Sequence, residues 1–436
     1  MVLVFKTPVK VMVIAGTMLV LNFRIHAQLG FATATNYFVG GDSYSVTVAD
    51  VNGDGKPDLI STVEVPIDKL SILTNVGNGD FLFASSMNTG SFSGPHSLTA
   101  ADVNGDGTPD LISANEGVNT LSVFTNNGDG NFTLAASLPV GKRPRSVTTA
   151  DVNGDGSLDL ICANYDSSTL SVLTNDGIGG FVLSSSPSAV SLPESVTAAD
   201  VNGDGKVDLI SANWFPPTLS VLTNNGFGGF ALAASPPVGR QAISVTAADL
   251  NGDGKLDLVC ATTDEGLWVL TNDGRGGFIA SAILPTGAAL TSVTAADVNG
   301  YGRTDLIAAS IDGRLFAFTN NGAGAFDLGA TLKVGTAPYT VKAEDVNGDG
   351  KVDLISANAG GTLSVLINVP TLAINQSNNN AVISWPSSWM NWVLQENSNL
   401  ASANWTASSG ISDNGTNKSL TVTPPTDNLF FRLTHP

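Results

Sequence analysis

Little in this chain is of the kind that builds a redox centre, a helical core or a catalytic dyad. Only two cysteines occur in 436 residues, Cys162 and Cys260. They fall at the same point of two non-adjacent repeats, so sheets stacked at roughly 10 Å hold them beyond the ~7 Å between α-carbons that a disulfide tolerates. Two buried free thiols, acting as small apolar fillers, are expected. Histidine is nearly as scarce, and past the N-terminal segment only His96 and His435 remain. With no GxSxG, no zinc-type histidine cluster and no recognisable acid pair outside the repeated loops, catalysis lacks support. Charged residues are few, and 38 Asp and Glu stand against 19 Lys and Arg for a net charge of -19. That balance repels a phosphate backbone, so no nucleic-acid partner is expected.

Long apolar runs are missing too. Val11 to Phe23 is apolar over 13 residues, too short to span a bilayer. With Lys6 and Lys10 at its start and Ile25-His26-Ala27 after it, the segment 1–27 reads as an export signal cleaved before Gln28. Arg24 and Ile25 leave an uncleaved anchor as the alternative. No later stretch approaches membrane length, so the mature chain is expected to be secreted or held at the cell surface, with no membrane span, as a monomer.

Glycine, by contrast, is abundant, with 47 residues, and it marks a repeat. DVNGDGKPD at Asp50 recurs as DVNGDGTPD at Asp102, DVNGDGSLD at Asp151, DVNGDGKVD at Asp200, DLNGDGKLD at Asp249, DVNGYGRTD at Asp297 and DVNGDGKVD at Asp345. The spacing is 48 to 52 residues, a period suited to four short strands. In the fourth copy SVTAAD (195–200), DLISAN (208–213), TLSVLTN (218–224) and FALAAS (230–235) read as those strands. The Gly-rich NNGFGGF between the last two is a hairpin connection needing positive φ. No useful helical period occurs, so the chain is all-β.

Seven four-stranded units suit a seven-bladed β-propeller over 28–369, whose blades leave only short, protected edges. After Thr362 to Asn368 the expected NxGxGxF turn is missing, and GFATATNYFVG (30–40) supplies a fourth strand with no third before it. The N-terminal strand is therefore expected to complete the last blade and close the ring. From Pro370 the repeat stops, and alternating runs such as AVISW, NWVLQ and SLTVT, with Trp385, Trp389, Trp392 and Trp405, predict a small C-terminal β-sandwich over 370–436. Its tryptophans are expected in the core, a carbohydrate platform being the alternative.

The units resemble the FG-GAP-like, or VCBS, repeats of secreted and surface proteins, which couple an ADVNGDGxxDL loop to an NNGDGxF turn. Ala101 to Leu111 with Asn126 to Phe132 reproduces both halves. The resemblance implies a seven-bladed propeller with calcium in the blade loops, and no single activity, since such repeats serve adhesion, lectin-like binding and occasionally enzymes.

The loop chemistry points the same way. Like charges about 4 Å apart cost on the order of 4 kcal/mol per pair at an effective dielectric near 20, and each loop sets three aspartates within nine residues. Calcium takes six to eight hard oxygens, and ligands at alternate positions wrap it. Side chains at positions 1, 3, 5 and 9 and the carbonyl of position 7 are the candidates. They are Asp50, Asn52, Asp54, Lys56 and Asp58; Asp102, Asn104, Asp106, Thr108 and Asp110; and Asp151, Asn153, Asp155, Ser157 and Asp159. The later loops give Asp200, Asn202, Asp204, Lys206 and Asp208; Asp249, Asn251, Asp253, Lys255 and Asp257; and Asp345, Asn347, Asp349, Lys351 and Asp353. The alternative is an Asx-rich turn with no ion. At Asp297 the loop carries Tyr301 for an aspartate and Arg303 at position 7, so about six calcium ions are expected and that loop is weak or empty.

Strand order puts the aspartate loops and NxGxGxF turns on one rim. The other rim varies between copies and offers Tyr165, Trp214, Phe215, Arg143, Arg145 and Arg240 as ligand-binding candidates, with Tyr44, His96 and Tyr339 facing them. Aromatics beside arginine suit sugar stacking or peptide capture; ordinary solvated loops are the alternative. Lys342 and Glu344 replace small residues in the last copy, and a local ion pair is expected there. The function expected is a non-catalytic binding or adhesion module for a glycan or protein. An extracellular polysaccharide lyase or glycosidase on the same scaffold, or a purely structural surface protein, are the alternatives.

Overall fold

The computed structural model describes residues 10–13 and 29–434, apart from 66, 189–190, 264–265, 370–371, 378–379, 388–391, 399–403, 416 and 423–428. All regular elements among them are strands. They form two compact units, Ala34–Leu366 and Met1–Thr33 with Ile367–Pro436. No helix among the described residues is long and apolar enough to cross a membrane. Most of the expected export signal lies outside the described residues; within it, Lys10–Val13 pairs antiparallel with Leu429–Thr434.

Unit Ala34–Leu366 is seven antiparallel four-stranded sheets in series. The fourth runs Pro193–Ala199, Asp208–Asn213, Thr218–Asn224 and Phe230–Ala234, within two residues of the boundaries expected from sequence. Its second strand, DLISAN, is buried along its whole length, because sheets stacked on both sides leave neither face to water. Such strands must satisfy their polar side chains internally. Ser211 Oγ donates to Asn213 Oδ1 at 3.1 Å, and Asn213 Nδ2 donates to Ser220 Oγ at 2.9 Å. Between sheets the apolar residues interlock: Ile161, Leu170 and Val172 of the third pack with Val196, Leu209 and Leu222 of the fourth. Each such side chain contributes about 1.5–3 kcal/mol when fully buried. Cys162 and Cys260 are buried free thiols in two different interlocks of this type.

The seventh sheet takes its outer strand from the other end of the chain. Thr35–Phe38 pairs with Thr362–Leu366, Thr35 opposite Val365 and Phe38 opposite Thr362. This is the strand the N-terminal repeat fragment predicts. The seventh sheet also touches the first: Asn75 Nδ2 donates to Val346 O at 2.8 Å, Thr340 Oγ1 donates to Tyr44 O at 3.1 Å, and the rings of Tyr44 and Tyr339 stack at 4.5 Å.

The second unit carries two four-stranded sheets, one including Asn380–Pro386 and Asn417–Val422 and the other Val393–Asn397 and Leu429–Thr434. Ile383, Trp385, Leu394, Leu420, Phe431 and Leu433 form their shared core. Trp385 is thus a core residue, Trp405 lies against the Arg432 guanidinium at 4.5 Å, and Trp389 lies outside the described residues.

Candidate functional site

Each aspartate loop is wound around its first carboxylate. In the fourth copy Asp200 Oδ1 accepts the N–H of Gly203 at 2.8 Å and Oδ2 that of Gly205 at 2.8 Å. Asn202 Oδ1 accepts the N–H of Asp204 at 2.8 Å, and Asp204 Oδ1 that of Lys206 at 3.0 Å. Gly203 and Gly205 stand at φ of 74° and 82°, where a side chain would be strained. Asp208 is fully buried and accepts from Val201 N–H at 3.2 Å and Asn224 N–H at 2.9 Å. Burial pushes its carboxyl above the usual range despite those amides, and Asp204 and Asp200 add like-charge repulsion. Asp58, Asp110, Asp159 and Asp257 are raised for the same reasons. The loops at Asp50, Asp102, Asp151, Asp249 and Asp345 repeat the winding.

Among the described residues, no three His, Cys, Asp or Glu side chains gather into a group able to hold a metal ion. The carboxylates are turned to the loop's own amides. The donor type nevertheless suits a hard cation, because carboxylate, amide and peptide oxygens that accept one N–H keep a second lone pair.

The copy at Asp297 is wired differently. In three other copies the position-3 asparagine amide meets the position-5 aspartate: Asn104 Nδ2 with Asp106 at 2.8 Å, Asn153 Nδ2 with Asp155 at 2.8 Å and Asn347 Nδ2 with Asp349 at 3.2 Å. With Tyr301 in that place, Asn299 Nδ2 turns inward and donates to Asp305 Oδ1 at 3.1 Å. The Arg303 guanidinium donates to Asn321 O, as Lys206 and Lys255 donate to Asn225 O and Asp273 O in their copies. Burial pushes the Asp305 carboxyl up to about 6.

The residue that sequence reasoning missed is the asparagine closing each third strand. Asn224 donates from Nδ2 to Val207 O of its own sheet at 2.8 Å and to Val152 O of the preceding sheet's loop at 2.7 Å, while its Oδ1 accepts Gly226 N–H at 2.8 Å. Asn126, Asn175, Asn272 and Asn320 bridge to Val51, Val103, Val201 and Leu250 in the same way. Asn75 makes the corresponding bridge from the first sheet to the seventh. Six of the seven aspartate loops are therefore bolted to a neighbouring sheet, and Asp208 holds the Asn224 backbone in place.

At the opposite rim a cavity of about 510 Å³ opens where the inner strands begin. Its wall takes the second residue of six inner strands, His96, Arg145, Glu194, Ile243, Thr291 and Tyr339, and Tyr44, two residues before the inner strand Val46–Ala49. Below them lies a near-uniform layer, including Ser45, Ser97, Ser146, Ser195, Ser244 and Ser292. The hydroxyls of Ser45, Ser97, Ser146, Ser244 and Ser292 accept an N–H from the next inner strand, for example Val196 N–H on Ser146 Oγ at 3.2 Å. Tyr44 stacks on both His96 and Tyr339, at 5.2 and 4.5 Å. Burial lowers the His96 imidazole below its ordinary value, so it is neutral at neutral pH.

Three of the rim candidates converge. Arg145 lies 4.0 Å and Arg143 5.4 Å from the Tyr165 ring centroid. Arg145 pairs with Glu194 and, at 3.4 Å, with Glu116, which Arg143 approaches at 3.7 Å. Trp214 lines the cavity with Arg145. Phe215 is 68% exposed, and neither it nor the exposed Arg240 lines the cavity. Glu194 was not singled out from sequence, although its place as the second residue of an inner strand was the available signal. The expected ion pair of Lys342 with Glu344 is absent. Both side chains are exposed on the inner strand Pro338–Glu344 without meeting, since an exposed pair gains only about 0–1 kcal/mol and cannot hold two solvated groups together.

The repeat itself is matched at residues 50–113, 102–162, 151–211, 200–260, 249–308 and 297–356 by the FG-GAP-like repeat. The chain belongs to that family. Solved structures similar to these FG-GAP-like repeats include BBS1N in its complex with ARL6DN, at 15% identity and TM-score 0.57, covering 78% of this chain and 98% of that one. Virginiamycin B lyase from Staphylococcus aureus is similar at 14% identity and TM-score 0.55, covering 78% and 100%. Sqt1 of Saccharomyces cerevisiae is similar at 11% identity and TM-score 0.54, covering 79% and 100%. At such identities the likeness carries the propeller-like fold and no activity. No curated protein matches the chain.

Proposed function

We propose that this FG-GAP-like protein is a secreted or surface-held, non-catalytic binding module whose ligand, a glycan or a protein, enters the 510 Å³ cavity at the variable rim. One observation carries the reading: the residue that each sheet gives to the cavity wall changes from sheet to sheet, while the aspartate loops and the second and third strands barely change. A scaffold repeated seven times needs no such variety, whereas a binding surface does. Tyr44, Tyr339 and Trp214 offer flat apolar faces with polar tips, and Arg145, Glu194 and Glu116 offer fixed polar groups, the composition of an interaction site. The similarity to BBS1N, found in complex with ARL6DN, supports a protein partner. His96 has its Nδ1 against Arg145 O at 2.9 Å and its ring against Tyr44, an arrangement that fixes a wall and leaves no proton shuttle.

The same proposal includes six calcium ions, one in each loop that keeps all three aspartates, held by the residues at positions 1, 3, 5, 7 and 9. Calcium there would neutralise clustered acids and tie the loop to the sheet. The wheel of seven sheets is closed, in this reading, by Thr35–Phe38 and the Asn75 bridge.

A glycan array probed with the full chain and with Trp214→Ala and Tyr339→Ala tests the cavity. Binding of an unaltered sugar that weakens at least about tenfold in both variants, some 1.4 kcal/mol, is the expected result. Undiminished binding by both variants places the ligand elsewhere, and new reducing ends or unsaturated products favour the enzymatic reading.

A further inference from the structure

We infer that Lys342 forms a carboxylate-binding site in the axial channel beneath the cavity, an inference that rests on the cavity being the ligand's entrance. The fifth residue of the inner strand is Thr99, Thr148, Thr197, Thr246 and Thr294 in sheets two to six and Lys342 in the seventh, and Thr47, opposite Ile60, holds the same level in the first. The registers agree, Thr197 standing opposite Ile210 and Lys342 opposite Ile355. One ammonium therefore shares a level with six hydroxyls. That level lies two residues past Thr340, the last cavity-lining residue of its strand, or about 7 Å deeper at ~3.3 Å per residue.

Lys342 has no acceptor among the described residues. Its side chain is exposed while the preceding Val341 is buried, and the inner strands Leu290–Ala296 and Val46–Ala49 pack on either side of its own. Crowding by these strands acts on the ammonium with no carboxylate to offset it, and holds it below the usual lysine range. A cation placed in this way without a counter-charge is poorly compensated. Its three N–H donors, together with threonine hydroxyls, match the oxygens of a carboxylate. The rim decides between anions. Glu64, Glu116 and Glu194 at the entrance outnumber Arg145 and the Arg143 that approaches Glu116, so a doubly charged phosphate is repelled more strongly than a single carboxylate carried on a polar body. The ligand class that follows is a glycan or peptide bearing one carboxylate, its body against Tyr44, Tyr339 and Trp214.

The test uses the unmodified full chain with ¹³Cε-labelled lysine, titrated with sodium acetate and, at equal ionic strength, with sodium chloride. Lys342→Thr installs the residue of the other six sheets and identifies the Lys342 signal by its loss. A saturable acetate shift of that signal, not reproduced by chloride, together with a rise in melting midpoint on adding acetate that Lys342→Thr loses, is the expected result. No saturable shift, an equal response to chloride, or a midpoint rise that persists in Lys342→Thr overturns the inference. Should array binding depend on Trp214 and Tyr339 while acetate leaves Lys342 unmoved, the carboxylate site fails and the cavity reading stands.

Discussion

Removing divalent cations with EGTA lowers the melting midpoint of the full chain by roughly 15 °C, as six sites each worth about 1.4 kcal/mol at tenfold saturation sum to about 8 kcal/mol at roughly 2 °C per kcal/mol for a large domain. The physical reason is the concentration of acid. Twenty of the 38 acidic residues are loop aspartates, and Asp58, Asp110, Asp159, Asp208 and Asp257 are buried. Loop amides supply partial positive charge to these carboxylates, as Gly203 and Gly205 do for Asp200. They do not cancel a net charge, whereas a divalent cation does. The loop at Asp297 provides an internal control, because Asn299 already donates to Asp305 where the other loops would use the ion. Replacing Tyr301 with Asp should increase the EGTA-sensitive part of the stability, by about the worth of one site.

Asn224→Ala costs about 3–5 kcal/mol in chemical denaturation. The side chain is 5% exposed and meets Val152 O, Val207 O and the N–H of Gly226, so truncation leaves three backbone groups without partners, each worth about 1–3 kcal/mol when buried. Asn225→Ala is the comparison, because that side chain is exposed and caps only its own turn through Phe227 and Gly229 N–H at 2.9 and 3.1 Å. It should cost about 1 kcal/mol. Equal losses in the two variants would mean that the bridge to the preceding sheet contributes nothing to the fold.

The four-strand unit was legible because its signals are local. DLISAN and TLSVLTN announce themselves by composition, and Asp208–Asn213 and Thr218–Asn224 are the strands found. The outer strand Thr35–Phe38 was legible from what the last copy lacks. The asparagine bridges were not, since an Asn before Asn-Gly reads as part of a turn and its partner lies 72 residues away in the chain. On the variable rim the sequence singled out Arg143, Arg145 and Tyr165, which converge, and also Arg240, which lies outside the cavity. Arg145 lines the mouth from the second position of an inner strand and Trp214 from the connection after a second strand, and only sheet pairing reveals which residues share a level. The same ambiguity produced the expected Lys342 and Glu344 pair, two side chains on one strand face that do not meet.

Elemental analysis of the full chain after equilibration with calcium and removal of free ion counts the occupied loops. Close to six calcium atoms per chain are expected, rising toward seven when Tyr301 is replaced with Asp. A chain that folds fully and carries none would contradict that expectation, and would leave the loop amides as the sole partners of the clustered carboxylates.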